Sequence, residues 1–550
     1  MLREEAIAPI PEATATVARA AFPQESRVMT LRDQLGPIYE DADFQALFPS
    51  NQGQPAWSAW RLALITVMQY LEDLNDAQAA QAVRGRIDWK YALSLPLEHP
   101  GVDASVLSEF RTRLIQSGAE AVLLERLLSQ CQAQGWLKSG GVQRSDSTHV
   151  VAAIRVLHRL EVVGETIRAA LNSLAVAAPQ WLQSHVSEDW FERYGTRMED
   201  YQWPKSSDQR QTIATTFGQD GHRLLAIIWD ETSPAWLSHV PAVEVLRRVW
   251  VQQFYLDADH QVHWRTRDES PPAAQLIHSP YDVEARFSRK RDTHWVGYKV
   301  HLSETCDPDA PHLITQVETT AATTTDVEVT ERIQSDLVAH QRAPKHHLLD
   351  SGYIDAAQLI ASQAQYQIDV IAPVLPDSSW QARAQNGFDI GHFDLDWDQQ
   401  QARCPAGHLS KTWTSSTDRR GHDTVTITFP YSTCQACDHR SQCTRSKKQG
   451  RVITPRPQPE HEILQAMRQT QTTEAFKQRY AARAGIEGTL SQGIRAFGLR
   501  RCRYIGYAKT HLQHLITATA MNVARLVNWW QETPLAQTRC SQFASLAPNT

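Results

Sequence analysis

The sequence predicts a mixed α/β protein that begins with a helical domain, and two observations support this fold class. At 550 residues the chain is too long for one hydrophobic core, because single cores stop growing near roughly 250–300 residues. Helical patterns fill 29–136. Beyond them, apart from a long helical stretch, the sequence predicts elements in the order strand, strand, strand, helix, strand, helix, strand. That order is typical of an α/β domain with a mixed sheet.

The N-terminal part is predicted to be an extended leader followed by helices. Residues 1–28, with the proline-containing stretches PIPEA and FPQES, predict the leader. Apolar residues recur every three or four positions in 57–83, as in amphipathic helices, and Asn75-Asp76 supplies an N-cap between two of them. A further helix is expected over 103–117, with Asp103 as its cap.

Strand signals begin after the Gly140-Gly141 break. In VQRSDSTHVV the alternation places Arg144, Asp146 and Thr148 on one face of a strand. The segments 294–305 and 312–320 predict an antiparallel pair, and a helix follows them. In KHHLLDSGY a short apolar strand ends in Asp350, and the pattern then predicts a helix over 355–363 and a strand over 368–374.

Positive charge is concentrated in the last third of a chain whose net charge is −6. Six cations and no acid lie in 440–456, and nine cations lie in 476–525 with Glu487 as the sole acid. This distribution indicates a face that binds a polyanion, although a solvated helix face is the alternative. Glu487 itself is either a salt-bridge partner or a metal-binding acid placed beside that polyanion.

Four of the eight cysteines are clustered, namely Cys404, Cys434, Cys437 and Cys443. The first residues contain no secretory signal and no apolar run is long enough to cross a bilayer, so a cytosolic protein is expected. In that setting clustered cysteines indicate metal more readily than disulfides. We expect a structural Zn²⁺ on these four, with His408 as a possible substitute ligand. Reduced cysteines without metal and an iron–sulfur centre remain alternatives.

Three carboxylates occupy positions that suit metal-dependent chemistry. Asp146 lies inside a strand, Asp350 ends one, and Glu487 shares a helix face with Tyr480 and Arg483 at i, i+3 and i+7. Two divalent ions acting on a phosphodiester need only a few carboxylates, because Mg²⁺ keeps several waters. Arg483 is placed to contact a phosphate or to hold Glu487.

The motif Tyr480-x2-Arg483-x3-Glu487 resembles the Tyr-x2-Arg-x3-Glu-x6-Lys signature of bacterial insertion-sequence transposases of the DDE superfamily. RSDSTHV around Asp146, LLDSGY around Asp350, the stretch from FQALFP to SEFRTRL and the basic AFGLRRCRYIG are also similar to that family. One departure is that Ile494 occupies the place of the signature lysine, and Arg495 follows it.

The resemblance implies an RNase H-like core with Asp146, Asp350 and Glu487 as catalytic ligands of two Mg²⁺ ions, for which Mn²⁺ substitutes. It implies terminal inverted repeats and target DNA as double-stranded partners, strand cleavage and transfer as the reaction, and a homo-oligomer in the DNA complex, bound to the nucleoid. A catalytically inactive or domesticated DNA-binding relative, or a nuclease without strand transfer, is the alternative. The expected DNA contacts are Tyr480, Arg483, Arg495, Arg500, Arg501 and Arg503, with Arg61, Arg84, Arg86 and Arg111 in the helical domain.

The expected domains are the leader (1–28), a helical DNA-binding domain (29–136), a first core part (137–375) with a large helical insertion at about 155–290, a Cys-rich insertion (376–456), a catalytic and basic helical segment (457–530) and a tail (531–550).

Overall fold

The computed structural model describes residues 7–24, 26–48, 56–384, 386–418 and 421–534. Its N-terminal part consists of seven helices and a 3-10 turn at Asp41–Leu47. Asn75 caps α4 through a capping box with Gln78, and the Asp103 carboxylate accepts from the backbone N–H of Ser105, so both predicted caps are confirmed. The helices are α1 (Glu12–Ala21), α2 (Arg27–Leu35), α3 (Ala59–Leu71), α4 (Asp76–Gly85), α5 (Ile87–Ala92), α6 (Ala104–Gln116) and α7 (Val122–Ala133).

Helix α1 corrects the prediction of an extended leader. Its buried residue Ala18 packs in a small cluster with Met29 and Tyr91, and the Thr14 hydroxyl donates to the Leu95 carbonyl at 2.9 Å. The prolines of the leader flank this helix, where they do not interrupt its hydrogen bonds.

A six-stranded mixed sheet forms the centre of the molecule. It contains β1 (Val142–Val151), β4 (Arg286–Lys290), β5 (Thr293–Thr305), β6 (Ile314–Ala321), β7 (His346–Leu348) and β8 (Asp369–Ile371). Strand β5 is antiparallel to β1, β4 and β6, whereas β1, β7 and β8 are parallel neighbours. Helices α13 (Val327–Ala339) and α14 (Ala356–Tyr366) connect β6 to β7 and β7 to β8. The predicted strands and helices follow one another in the predicted order, with β4 as an additional strand of the sheet. This mixed α/β arrangement fits an RNase H-like core.

The segment between β1 and β4 is mainly helical and has its own hydrophobic core, which includes Val163, Phe217 and Trp250. It contains α8 (Arg159–Ala177), α9 (Pro179–His185), α10 (Glu188–Tyr194), α11 (Ser207–Ile228), α12 (Pro241–Gln253), 3-10 turns at Met198–Asp200 and Ala235–His239, and the hairpin β2 (Phe254–Leu256) and β3 (Val262–Trp264). Helical structure therefore ends well before residue 290, because the hairpin and then β4 follow it.

The cysteine-rich segment forms a small unit of short strands and single-turn helices. Its core includes Phe393, Ile427 and Phe429, and it packs against three of the cysteines. The elements are α15 (Trp380–Arg383), a 3-10 turn at Ile390–His392, β9 (Asp394–Asp396), β10 (Gln401–Arg403), β11 (Thr412–Thr417), β12 (Asp423–Thr428), α16 (Tyr431–Gln435), α17 (Arg440–Cys443) and β13 (Val452–Ile453).

The last helices return to the sheet. They are α18 (Gln458–Thr470), α19 (Glu474–Ala481), a 3-10 turn at Ala482–Ala484, α20 (Gly485–Ala496) and α21 (Tyr507–Trp530). Helix α21 packs against α3, α7 and β6, so the N-terminal helices, the sheet and α21 share one continuous hydrophobic core. Within the described ranges no helix has the length and apolarity that a bilayer crossing needs. Most of the predicted tail, from 535 onward and including Cys540, lies outside the described residues.

Candidate active site

Three carboxylates that are remote in sequence surround one guanidinium group. Nη2 of Arg483 lies 2.7 Å from Oδ2 of Asp146 and 3.7 Å from Oδ2 of Asp350, and Nη1 lies 3.5 Å from Oε1 of Glu487. The Arg483 side chain is only 12% exposed, whereas that of Glu487 is 70% exposed. The structure therefore brings all three predicted acids to one place, with an arginine between them.

Parallel pairing of β1 and β7 explains how two of these acids meet. Arg144 of β1 lies opposite Leu348 of β7, so Asp146, still within β1, and Asp350, just after β7, each two residues further along, lie side by side. Asp350 lies just beyond the carboxyl end of β7, where its Oδ1 accepts from the backbone N–H of Gly352 at 2.7 Å. Carboxyl ends of adjacent parallel strands are the usual location of sites in such sheets.

A buried ionic network holds the helix that carries Glu487 against the sheet. Glu304 of β5 is fully buried and accepts from Nε of Arg144 at 2.7 Å, from Nη1 of Arg525 at 2.7 Å and from the Thr489 hydroxyl at 2.6 Å. Arg144 also donates to the carbonyl of Ala482, and a side chain at Gly485 would overlap its guanidinium group. Because β1, β5, α20 and α21 all contribute, this network fixes the position of α20.

Opposing electrostatic influences act on the cluster. Burial is the largest influence on Asp146 and raises its pKa, although the charges of Arg483 and Lys290 act in the opposite direction. For Arg483, burial disfavours the charged form, but Asp146, Tyr480 and the other two acids outweigh it and raise its pKa. Negative charge is thus concentrated at this edge of the sheet, and a cation at its centre is favoured.

The sequence analysis missed a fourth acid at this edge. Oδ1 of Asp326 pairs with Nζ of Lys299 at 3.0 Å and accepts from the Ser147 hydroxyl at 3.4 Å. A Cβ atom built on Gly352 would lie 3.0 Å from Oδ1 of Asp350 and 3.6 Å from Oδ2 of Asp326, so both acids border that glycine. The available signal was that Asp326 follows a strand (TTTD), as Asp350 does.

The predicted DNA contacts divide into exposed and engaged side chains. Arg495 and Arg501 are exposed, and Nε of Arg500 donates to the Thr148 hydroxyl at 2.7 Å. Arg503 pairs with Asp73 and lies 4.3 Å from the ring centroid of Tyr70, so it joins the C-terminal segment to the N-terminal helices.

Tyr480 is half-buried and stacks on Phe476, and burial raises the pKa of its hydroxyl. Tyr480, Arg483 and Glu487 lie on three successive helical pieces, α19, the 3-10 turn and α20, rather than on one uniform helix.

In the helical domain, Arg111 is not available to a phosphate, contrary to the prediction. It is 5% exposed and pairs with Asp76 at 2.6 Å, because it closes the contact between α6 and α4. Arg86 pairs with Glu72 and Asp88, Arg61 donates to the Leu93 carbonyl at 3.0 Å, and Nε of Arg84 donates to the Pro100 carbonyl at 2.9 Å.

The four clustered cysteines, with His408, border one small cavity of about 30 Å³, and all four are free thiols. Burial, reinforced by the other three thiols, raises the pKa of Cys443 to about 11, although Arg451 acts in the opposite direction. The backbone N–H of Arg451 donates to Sγ of Cys434 at 3.3 Å. The set of soft sulfur donors therefore suits Zn²⁺.

Neither donor set is closed around an ion as it stands. Among the described residues, no group of three or more His, Cys, Asp or Glu side chains is arranged to hold a metal ion. At the acid cluster the hard oxygen donors suit Mg²⁺, but the guanidinium of Arg483 occupies the space between them. Metal binding at either place requires local rearrangement of side chains.

A groove of about 800 Å³ begins beside the acids. Its lining includes Ser351 and 354–357, directly after Asp350, and 451–456 of the cysteine-rich unit. Helix α18 contributes Glu460, Leu464 and Arg468. The cysteine-rich unit thus borders the edge of the sheet on which the carboxylates lie.

Two protein-family models match parts of the chain. The model described as Transposase DDE domain matches residues 403–527, and the model described as Transposase domain (DUF772) matches residues 17–113. No curated protein and no solved structure matches the chain. Glu487 lies inside the first match, whereas Asp146 and Asp350 lie outside both, so their grouping with Glu487 comes from the fold.

Proposed function

Because the two domain matches support a DDE-superfamily transposase of insertion sequences, we propose that this chain binds the terminal inverted repeats of its element and cleaves and transfers DNA strands. The observation that carries the proposal is the convergence of Asp146, Asp350 and Glu487 on Arg483 at the edge of an RNase H-like sheet. Two-metal phosphodiester chemistry needs a few carboxylates close together, and this cluster supplies three.

In the proposed mechanism the three acids hold the Mg²⁺ ions that the family generally uses. The ions would supply activation of the attacking oxygen and stabilisation of the leaving oxygen. Arg483 must release Asp146 before the carboxylates can bind metal, and a DNA phosphate offers its guanidinium an alternative anion. Arg483 then becomes a phosphate contact, as its place one turn before Glu487 suggested.

The remaining assignments are also proposals. Residues 29–136 position DNA, and the mainly helical segment between β1 and β4, predicted at about 155–290, is an insertion in the core. The cysteine-rich unit at 376–456 carries a structural Zn²⁺ and, through the cations of 440–456, contacts DNA. Two element ends have to be held together, so the DNA complex is a homo-oligomer.

The test compares Asp350→Asn with wild-type protein on a supercoiled plasmid that carries both flanks of the reading frame. We expect Mg²⁺-dependent cleavage to fall by about 10³-fold or more, because several kcal/mol of transition-state stabilisation depend on the ions. Duplex binding should change by less than about threefold, since the carboxylate does not attract phosphates. Asp369→Asn is the matched control, because Asp369 lies on the neighbouring strand β8 and pairs with His346 and Arg479 instead.

If the wild-type protein and Asp350→Asn both bind the duplex and neither cleaves it, the chain is a DNA-binding relative without cleavage activity. If Asp369→Asn abolishes cleavage as completely as Asp350→Asn, the acid cluster is not the catalytic centre.

A further inference from the structure

Strands β4 and β5 form a hairpin whose tip is strongly cationic. Lys290 lies opposite Thr293, so Arg291 and Asp292 form a two-residue turn, in which Arg291 has a φ of 55°. Arg289, Lys290 and Arg291 are all exposed, and in the part of the chain that the structure describes none of the three forms an ion pair. Three adjacent cations without carboxylate partners leave a locally unbalanced positive charge.

A ring contact and a close backbone approach at Gly297 join this hairpin to β1. Gly297 has a φ of 155°, and a Cβ atom there would overlap the carbonyl of Val150. Lys299 of β5 pairs with His149 of β1, and Trp295 lies four residues before Lys299. Four residues span about 13 Å in a straight strand. The rings of Trp295 and His149 are nevertheless only 5.3 Å apart. The indole of Trp295 therefore lies back along β5 toward β1, and its Nε1 donates to the carbonyl of Tyr298 at 3.1 Å.

The base of the hairpin is firmly held. Asp282, which is 2% exposed, accepts from the hydroxyl of Tyr298 at 2.7 Å, from the backbone N–H of Ala285 at 3.1 Å and from that of Gly506 at 3.3 Å. These bonds join the hairpin to the loop before α21. A rigid base with an exposed tip places the cations in a defined position.

The hairpin contacts β1 close to the acid cluster, because the ring of Trp295 lies 5.3 Å from that of His149, three residues along β1 from Asp146. Burial raises the pKa of Asp146 and lowers that of His149, and the charge of Lys290 favours a lower pKa for both. Arg500, which bonds Thr148, also acts on His149. Positive charge thus borders the acids from the hairpin on one side and from the segment after α20 on another.

We propose that the β4–β5 hairpin is a phosphate clamp, in which Arg289, Lys290 and Arg291 contact the DNA backbone next to the phosphate held at Asp146, Asp350 and Glu487. The inference rests on the proposed function and names a substrate contact that the sequence analysis did not identify. The occupant is the sugar–phosphate backbone, because the three cations complement its charge and phosphate and sugar receive at least half of the hydrogen bonds that proteins make to DNA. The clamp offsets the repulsion between that backbone and the four acids beside it.

The experiment measures binding of a fluorescein-labelled 30-base-pair duplex of random sequence by anisotropy, without added Mg²⁺ and at several KCl concentrations. The clamp variant is Arg289→Gln, Lys290→Gln and Arg291→Asn, in which Asn suits the positive φ at the turn. Three lost phosphate contacts should reduce the slope of log K against log salt by about 2–3. Without Mg²⁺ no cleavage occurs and a structural Zn²⁺ stays bound, so the readout does not depend on activity.

The matched control is Lys205→Gln, Arg210→Gln and Arg223→Gln, three exposed cations of the helical segment. It removes the same charge and should leave the slope within about 0.5 of wild type. Asp292→Asn should strengthen binding several-fold, since it removes the acid from the tip.

Thermal unfolding of each variant verifies the fold. The clamp proposal is overturned if the clamp variant keeps the wild-type salt slope, or if it weakens DNA binding no more than the control variant does. The proposed function still stands in that case if Asp350→Asn abolishes cleavage. Wild-type protein that binds no duplex overturns both proposals.

Discussion

Replacing the buried glutamate of the ionic network, Glu304→Gln, should destabilise the sheet and release the helix that carries Glu487. Glutamine keeps the shape but loses the charge that Arg144 and Arg525 share, and it turns an amide N–H₂ toward groups that are themselves donors. Leaving buried guanidinium groups without their carboxylate costs about 3–5 kcal/mol. Thr489 loses its acceptor as well, so opening of α20 should increase most.

The assay is urea unfolding monitored by tryptophan fluorescence, with hydrogen exchange of residues 485–496 as the local readout. The control is Glu318→Gln on β6, because Glu318 only approaches the exposed Arg332 at 3.4 Å and its loss should cost less than about 1 kcal/mol. The role assigned to the network is refuted if Glu304→Gln loses no more stability than the control. It is also refuted if the amide hydrogens of α20 in Glu304→Gln exchange at the wild-type rate.

The pH dependence of this difference has a definite sign. Burial alone would raise the pKa of Glu304, but Arg525, Arg144 and Thr489 outweigh it and lower the pKa in the folded state. A carboxyl whose pKa is lowered by folding stabilises the protein above its unfolded pKa of about 4.3 and loses that contribution as the pH falls through the folded value. The stability difference between wild type and Glu304→Gln should therefore be constant near neutral pH and decrease below about pH 4.

The remaining predictions concern a glycine contact and the cysteine cluster. Gly485→Ala should lower the free energy of unfolding by about 1–3 kcal/mol in urea titrations, because its methyl group displaces Arg144. The control Gly488→Ala should raise the free energy of unfolding by about 0.5–1 kcal/mol, because a methyl group there meets nothing within 4 Å. Effects of the same sign would contradict the packing argument. Cys437→Ser should remove one equivalent of Zn²⁺, measured by atomic emission, and should lower the midpoint of thermal unfolding. The control Cys306→Ser, outside the cluster, should change neither the zinc content nor the midpoint. An unchanged zinc content in Cys437→Ser would eliminate the zinc site.

Local signals in the sequence predicted much of the fold. The period of two around Asp146 and the short apolar run before Asp350 predicted β1 and β7, and the caps at Asn75 and Asp103 marked helix starts. Such signals succeed because each depends on residues within one element. Strand β4 was missed, since its polar sequence RFSRK acquires its strand form only by pairing with β5.

The sequence by itself determined which residue types were available: the acids at strand ends, the lone Glu487 among cations, and four soft sulfur donors close together. Only the tertiary structure decided that Arg483 lies between three acids, that Arg111 is buried, and that Trp295 of the cationic hairpin contacts His149 of β1. The physical reason is that these contacts join residues far apart in the chain. They are set by strand register and by the packing of helices on the sheet. The local periodicity of the sequence contains no information about either.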